Sequence, residues 1–206
     1  MEINLIIILD IIGIISFSLS GYIIAVKEKL DILGIFIISS ISAFGGGFIR
    51  DLSVNKTSYV FTDTYPLVVV LSVICFSFFF KVHKIEIIKL NNNNLFMFAD
   101  SIGLVIFSYT GSMVALETDY NLSGVLFLSL LTGIGGSIIR DVFLNKTPYF
   151  LLNEFYGTVS IYIGLLLYSF QNLNLLNNYT ISFILISGFL LRIIAIKRKW
   201  KLFQIT

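Results

Sequence analysis

The sequence predicts an all-α integral membrane protein of seven transmembrane helices, built as two inverted three-helix repeats plus a C-terminal seventh helix. Three observations carry that reading. Hydrophobic residues make up 57% of the 206 and charged residues only 13%, with a mean hydropathy of +0.94, whereas a soluble domain carries about 25% charge. Apolar stretches recur at roughly 4–26, 32–49, 65–80, 95–116, 122–139, 154–170 and 179–196, most of them long enough for a helix to approach the span of a bilayer. The chain also aligns with itself. A shift of 90 residues pairs Asp10 with Asp100 and runs ungapped to Tyr59 with Tyr149, with 18 of the 50 pairs identical. Compositional bias would match isoleucines and leucines; here mostly glycines and polar residues match.

The first stretch opens on Met1-Glu2-Ile3-Asn4 and stays apolar to Val26. A signal peptide has a basic start and a shorter apolar core, so this stretch reads as a retained first helix. The second and fifth stretches are short and interrupted by glycines. After the third comes the charged run Lys81-Val82-His83-Lys84-Ile85-Glu86 and the polar tract Asn91 to Asn94, expected to be a solvated connector between the halves. The first repeat occupies 4–90 and the second 95–172, within one membrane domain of 1–206. A one-residue insertion brings Asp63 onto Glu154 and Tyr65 onto Tyr156. Because each repeat holds an odd number of helices, the second copy enters the membrane upside down. Inverted repeats recur in transporters, with their sites at the repeat interface. The seventh helix, 179–196, lies outside the repeat and reads as a peripheral addition.

Orientation follows from the basic residues. With the N-terminus outside, the inner face collects Lys27, Lys29, Lys81, Lys84, Lys89, Arg140, Lys146, Lys197, Arg198, Lys199 and Lys201, and the outer face keeps Arg50 and Lys56. Arg192 sits near the inner end of helix seven. This positive-inside bias puts the C-terminus in the cytoplasm. The net charge of +2 is too small to suggest a nucleic-acid partner. Cys75 and His83 are the only residues of their kinds, so there is no disulfide framework, no metal-ligand cluster, no cofactor implied and little catalytic equipment.

The chemistry concentrates in Gly45-Gly46-Gly47-Phe48-Ile49-Arg50-Asp51 and its copy Gly135-Gly136-Ser137-Ile138-Ile139-Arg140-Asp141, followed by Asn55-Lys56-Thr57 and Asn145-Lys146-Thr147. Glycines weaken a helix and can bare its carbonyls, and charge at this depth is costly. Counting from Asp31 at 1.5 Å per residue, Gly45 lies about 21 Å along its helix and Arg50 and Asp51 about 29 Å. Adjacent helical side chains diverge, so partners for the arginines are expected elsewhere. Candidates are the opposite Arg-Asp pair, Lys56, Lys146, Asp10 and Asp100. Asp10, Gly13, Phe17, Ser20 and Gly21 form a small or polar stripe on helix one, and Asp100, Gly103, Phe107, Thr110 and Gly111 repeat it on helix four.

One reading is a polar pathway between the repeats, lined by glycine carbonyls and flanked by carboxylates that favour cations. The arginines would stabilise the carboxylates, gate the path or repel cations from it. The other reading is structural: glycines for close packing, Arg-Asp anchored at the headgroups and the Asn-Lys-Thr segments capping helix ends. A carrier for a small zwitterion such as glycine and a membrane scaffold or enzyme are the alternative functions.

With two three-helix repeats, a paired Gly-Gly-(Gly/Ser)-x-Ile-Arg-Asp segment and a seventh helix, the chain resembles the prokaryotic branch of the trimeric intracellular cation (TRIC) channel family. That family includes bacterial proteins described as glycine transporters. The resemblance covers nearly the whole chain. It implies a homotrimer in the cell membrane, a pore within each protomer, helices two and five kinked at their glycines, and conduction of monovalent cations such as K+ and Na+. It carries over to Gly45, Gly46, Gly47, Arg50 and Asp51, and to Gly135, Gly136, Arg140 and Asp141. Ser137 replaces a glycine, so helix five should be less sharply broken. The basic lipid-binding motif of animal members is not evident.

Overall fold

The computed structural model describes residues 3–82, 94–152 and 155–200, and it is all-helical. The elements are α1 (Ile3–Lys27), α2 (Ile32–Ser53), α3 (Tyr59–Thr62), α4 (Tyr65–Phe79), α5 (Asn94–Glu117), α6 (Leu122–Phe143), α7 (Tyr149–Leu152), α8 (Tyr156–Asn172) and α9 (Asn178–Arg198). Five of them, α1, α2, α5, α6 and α9, are long and apolar enough to cross a membrane, and α4 is a shorter apolar helix. His83, Lys84, Glu86, Lys89, Asn91 to Asn93, Glu154 and Lys201 lie outside the described residues.

Corresponding positions in the two halves end their helices in the same way. The Asp31 and Asn121 side chains accept the backbone N–H groups of Gly34 and Gly124 at the starts of α2 and α6, supplying acceptors for donors that the helix leaves unpaired. At the far ends Asn55 and Asn145 take the left-handed conformation, each with φ 53°. There Lys56 N–H donates to the Asp51 carbonyl and Lys146 N–H to that of Asp141, both at 2.9 Å, closing the Schellman arrangement. The capping reading of the two Asn-Lys-Thr segments is thus the local geometry. Lys29 and Asp119 close α1 and α5 in the same conformation.

The interior mixes polar side chains with an apolar core, and the outer surface is apolar. Ile8, Phe76, Phe79, Phe127, Phe183 and Ile186 are exposed, as a lipid-facing surface requires. Ser18, Ser39, Ser108, Ser129, Thr132 and Ser160 are fully buried. The Ser108 and Ser160 hydroxyls lie 2.7 Å apart, and the Ser129 hydroxyl reaches the Ser108 and Ser160 carbonyls at 3.0 and 2.8 Å. These contacts tie α5, α6 and α8 together where apolar side chains would gain nothing over lipid.

The two stripes of small residues form seams. A Cβ on Gly13 would sit 3.2 Å from the Phe107 ring, and one on Gly103 2.3 Å from the ring of Phe17. Phe17 and Phe107 stack at 5.3 Å. Gly21 meets Ser39 and Ser42 of α2, and Gly111 meets Leu128 and Thr132 of α6. As residue number climbs on α1 it falls along the facing stretch of α5, so these helices run antiparallel. The apposition of α2 and α6 is antiparallel too.

Candidate functional site

The glycine segments meet at that second crossing. A Cβ on Gly46 would lie 2.1 Å from the Thr132 carbonyl oxygen, and one on Gly136 would lie 2.2 Å from that of Ser42. Between these contacts Gly45 faces the Gly136 backbone and Gly135 faces the Cα of Gly46. Absent side chains let the two backbones touch. Both helices continue without a break through these residues, to Ser53 and Phe143, which corrects the expectation of a helix interrupted at the glycines. An unpaired backbone group in hydrocarbon costs several kcal/mol, more than the roughly 1 kcal/mol of propensity each glycine loses. The close approach of the partner helix accounts for the glycines instead.

Gly47 and Ser137 occupy matching positions with different neighbours. A Cβ on Gly47 would come within 2.8 Å of the Tyr59 ring, because α3 folds that ring back over α2. Ser137 is buried and its hydroxyl donates to the Ile134 carbonyl at 2.8 Å. Gly47→Ala is therefore expected to cost about 1–2 kcal/mol by displacing Tyr59, while Ser137→Ala stays within about 1 kcal/mol. Melting temperatures of the two purified variants would test this, and an unchanged Gly47→Ala protein would contradict it.

One turn beyond the glycines, each half builds a charge centre. Arg50 Nε donates to Asp51 Oδ1 at 2.9 Å, and its Nη1 lies 3.9 Å from Asp10 Oδ1 on α1. Arg140 Nε donates to Asp141 Oδ1 at 2.8 Å, and its Nη1 lies 3.9 Å from Asp100 Oδ1 on α5. Asp10 and Asp100 are thus the expected partners. Two expectations are corrected. The adjacent arginine and aspartate do meet, because the guanidinium stem is long enough to curl back along the helix surface. The pairs are also not headgroup anchors: Arg50 is 6% exposed and Arg140 0%. An arginine buried in this way needs its carboxylates.

Further partners were not legible in the sequence. In the first centre Arg50 Nη1 donates to the Thr110 hydroxyl of α5 at 3.3 Å, and its guanidinium lies over the Tyr59 ring at 5.4 Å. Tyr59 in turn stacks on Tyr65 at 6.2 Å. In the second centre Arg140 lies over Phe96 at 5.7 Å. Arg192 of α9, 2% exposed, covers the Tyr156 ring at 4.5 Å. The alignment of Tyr65 with Tyr156 was the available signal for the tyrosines. An arginine in an apolar helix was the signal for Arg192.

Lys56 and Lys146 stand apart from both centres, exposed on the turns that follow α2 and α6. Lys146 pairs with Glu28 beyond α1, while on the turn after α2 the Ser53 carbonyl accepts from the Tyr120 hydroxyl at 3.2 Å. Each half's last turn thus rests on the other half. Cys75 is exposed, and among the described residues no group of three His, Cys, Asp or Glu side chains gathers as metal ligands would.

The profile of the family described as Glycine transporter matches residues 7–81 and again 97–172. The two matches start 90 residues apart and end 91 apart, the offset and the insertion read from the self-alignment. The Bacillus subtilis UPF0126 membrane protein YvgT is 33% identical over 196 residues, covering 94% of this chain and 93% of its own length. The Escherichia coli UPF0126 inner membrane protein YadS is 28% identical, covering 76% and 74%. A prokaryotic TRIC channel crystallised in KCl superposes with a TM-score of 0.86 at 28% identity, over 98% of this chain and 100% of that one. A structure solved to explain conductance through TRIC cation channels gives 0.84 at 28%, over 100% and 98%. The chain therefore belongs to the glycine transporter family, alongside the bacterial UPF0126 membrane proteins, and it has the fold of the TRIC cation channels.

Proposed function

We propose that the protein is a monovalent cation channel, conducting K+ and Na+ through a path within each protomer between two inverted repeats. The observation that carries this reading is the pair of buried Asp-Arg-Asp centres, Asp10–Arg50–Asp51 and Asp100–Arg140–Asp141, one on each side of the glycine crossing. Buried ionised groups in a membrane helix mark polar pathways more often than structural seams. The crossing of Gly45, Gly46 and Gly47 with Gly135, Gly136 and Ser137 is the narrow point, and Lys56 and Lys146 stand at opposite mouths. The seven spans comprise α1, α2, α4, α5, α6, α8 and α9. The first repeat occupies 4–90, the second 95–172 and the seventh span 179–196. The N-terminus is outside, the C-terminus cytoplasmic, and the assembly in the cell membrane is a homotrimer like that named for the TRIC structures. Full-length likeness to TRIC channels supports this reading.

A carrier of a small zwitterion such as glycine is the second reading. The family's name favours it, as does the placement of guanidinium beside carboxylate, which would suit a substrate's two ends. Flux into proteoliposomes separates the two. A channel gives cation flux that rises without saturation at low concentration and falls roughly tenfold when Asp51→Asn and Asp141→Asn are combined. Saturable glycine uptake competed by similar solutes would support the carrier instead.

A further inference from the structure

The two charge centres are geometric copies with unequal charge. The first sets two carboxylates, Asp10 and Asp51, against one guanidinium, Arg50. The second sets Asp100 and Asp141 against Arg140, and adds Arg192 from α9, which packs on α5 at this level. With all groups ionised, the first centre carries one net negative charge and the second carries none. α9 has no counterpart in the first half. Most of its surface faces outward, yet Arg192 turns inward over Tyr156 of α8, and its Nε and the Nη1 and Nη2 of Arg140 make no hydrogen bond among the described residues. The second centre thus sets two guanidiniums against two buried carboxylates and still leaves guanidinium donors unused. A purely structural arginine at this depth would have its donors filled.

We propose that Arg192 is the residue that neutralises the second-half centre, so that cations accumulate at Asp10 and Asp51 only and the path conducts unequally in its two directions. This rests on the channel reading. Arg50 and Arg140 end antiparallel helices, so the two centres lie toward opposite faces of the protein. A cation arriving from the Asp10 side meets a negative site, and one arriving from the Asp100 side meets a neutral one. Arg192 lies over Tyr156, one turn past Gly188, which packs against Val105 of α5, and next to Phe189, which meets Phe98; it thus stands at the level of Asp100 and acts as a fixed counter-charge. It is a positioning and selectivity residue and not one that holds the ion.

Single-channel recording in symmetrical KCl tests this. At low salt the wild-type protein should pass different currents at equal positive and negative voltages. The difference should shrink in molar KCl, where charges are screened within about 3 Å. Arg192→Met should give the second centre the same net charge as the first, changing the ratio of the two currents by about threefold or more toward unity. Adding Asp100→Asn to Arg192→Met restores neutrality and should restore the wild-type ratio, which a change of shape alone would not do. Asp10→Asn leaves the second half untouched and should also bring the ratio toward unity, so it carries the test if Arg192→Met does not assemble. A conducting wild-type protein whose current ratio is unmoved by Arg192→Met, or by Asp10→Asn if that variant must stand in, overturns the assignment and leaves the channel reading standing. A wild-type protein that never conducts removes both.

Discussion

Gly46→Ala and Gly136→Ala should each destabilise the protein by about 3 kcal/mol. In an exposed helix the same change is stabilising by roughly 1 kcal/mol, because alanine loses less backbone entropy. The sign reverses here because the added methyl would sit 2.1 Å from the Thr132 carbonyl oxygen, or 2.2 Å from that of Ser42. Neither is the end of a flexible side chain, so the helices themselves must separate. Gly157→Ala is the control: its single close neighbour is the tip of Leu130 at 2.9 Å, which can rotate away, and the change should stay within about 1 kcal/mol. Melting curves of the detergent-purified proteins would read this, and a Gly46→Ala protein melting at or above wild type would contradict the crossing.

Arg50→Met should be the most damaging single change in the charge centres, costing about 3–5 kcal/mol. It leaves Asp10 and Asp51, 6% and 5% exposed, with their ion-pair partner Arg50 removed. Arg140→Met should cost less, because buried Arg192 still stands as a counter-charge in the second centre. Replacing both first-half carboxylates with Asn alongside Arg50→Met should recover much of the loss, since removing a whole ion-pair set is far cheaper than orphaning part of it. Yield and melting temperature of the three variants measure the order. Equal losses for Arg50→Met and Arg140→Met would show that Arg192 does not offset the second-half carboxylates.

The helical spans were legible because hydropathy and the 90-residue self-match depend only on local sequence. Predicted ends at 26, 116 and 196 fall within two residues of Lys27, Glu117 and Arg198. α2 and α6 run four residues beyond the expected 49 and 139. The sequence signal of glycine is lower propensity, and the contact that overrides it comes from the facing helix. Asp10 and Asp100 could be named as partners because an aspartate in an apolar helix needs a cation and the repeat offered few. The Arg50–Asp51 and Arg140–Asp141 contacts could not, since a 100° angular rule for side-chain directions ignores how far a guanidinium can fold back. Arg192 was placed near the inner end of helix seven and given no part in the site. Its role depends on where α9 packs, and α9 has no copy in the other half to compare. Tyr59 was missed because α3 is a single turn, too short to leave a periodic pattern.

The central claim is that the paired charge centres serve a cation path. The measurement that tests it most directly is a planar-bilayer recording of the purified protein across a KCl gradient, with glycine then added to one side. Unitary current steps reversing near the K+ equilibrium potential and indifferent to glycine are the expected result. A silent bilayer, with saturable glycine uptake by the same preparation in liposomes, would contradict it and make the same centres a carrier's binding site.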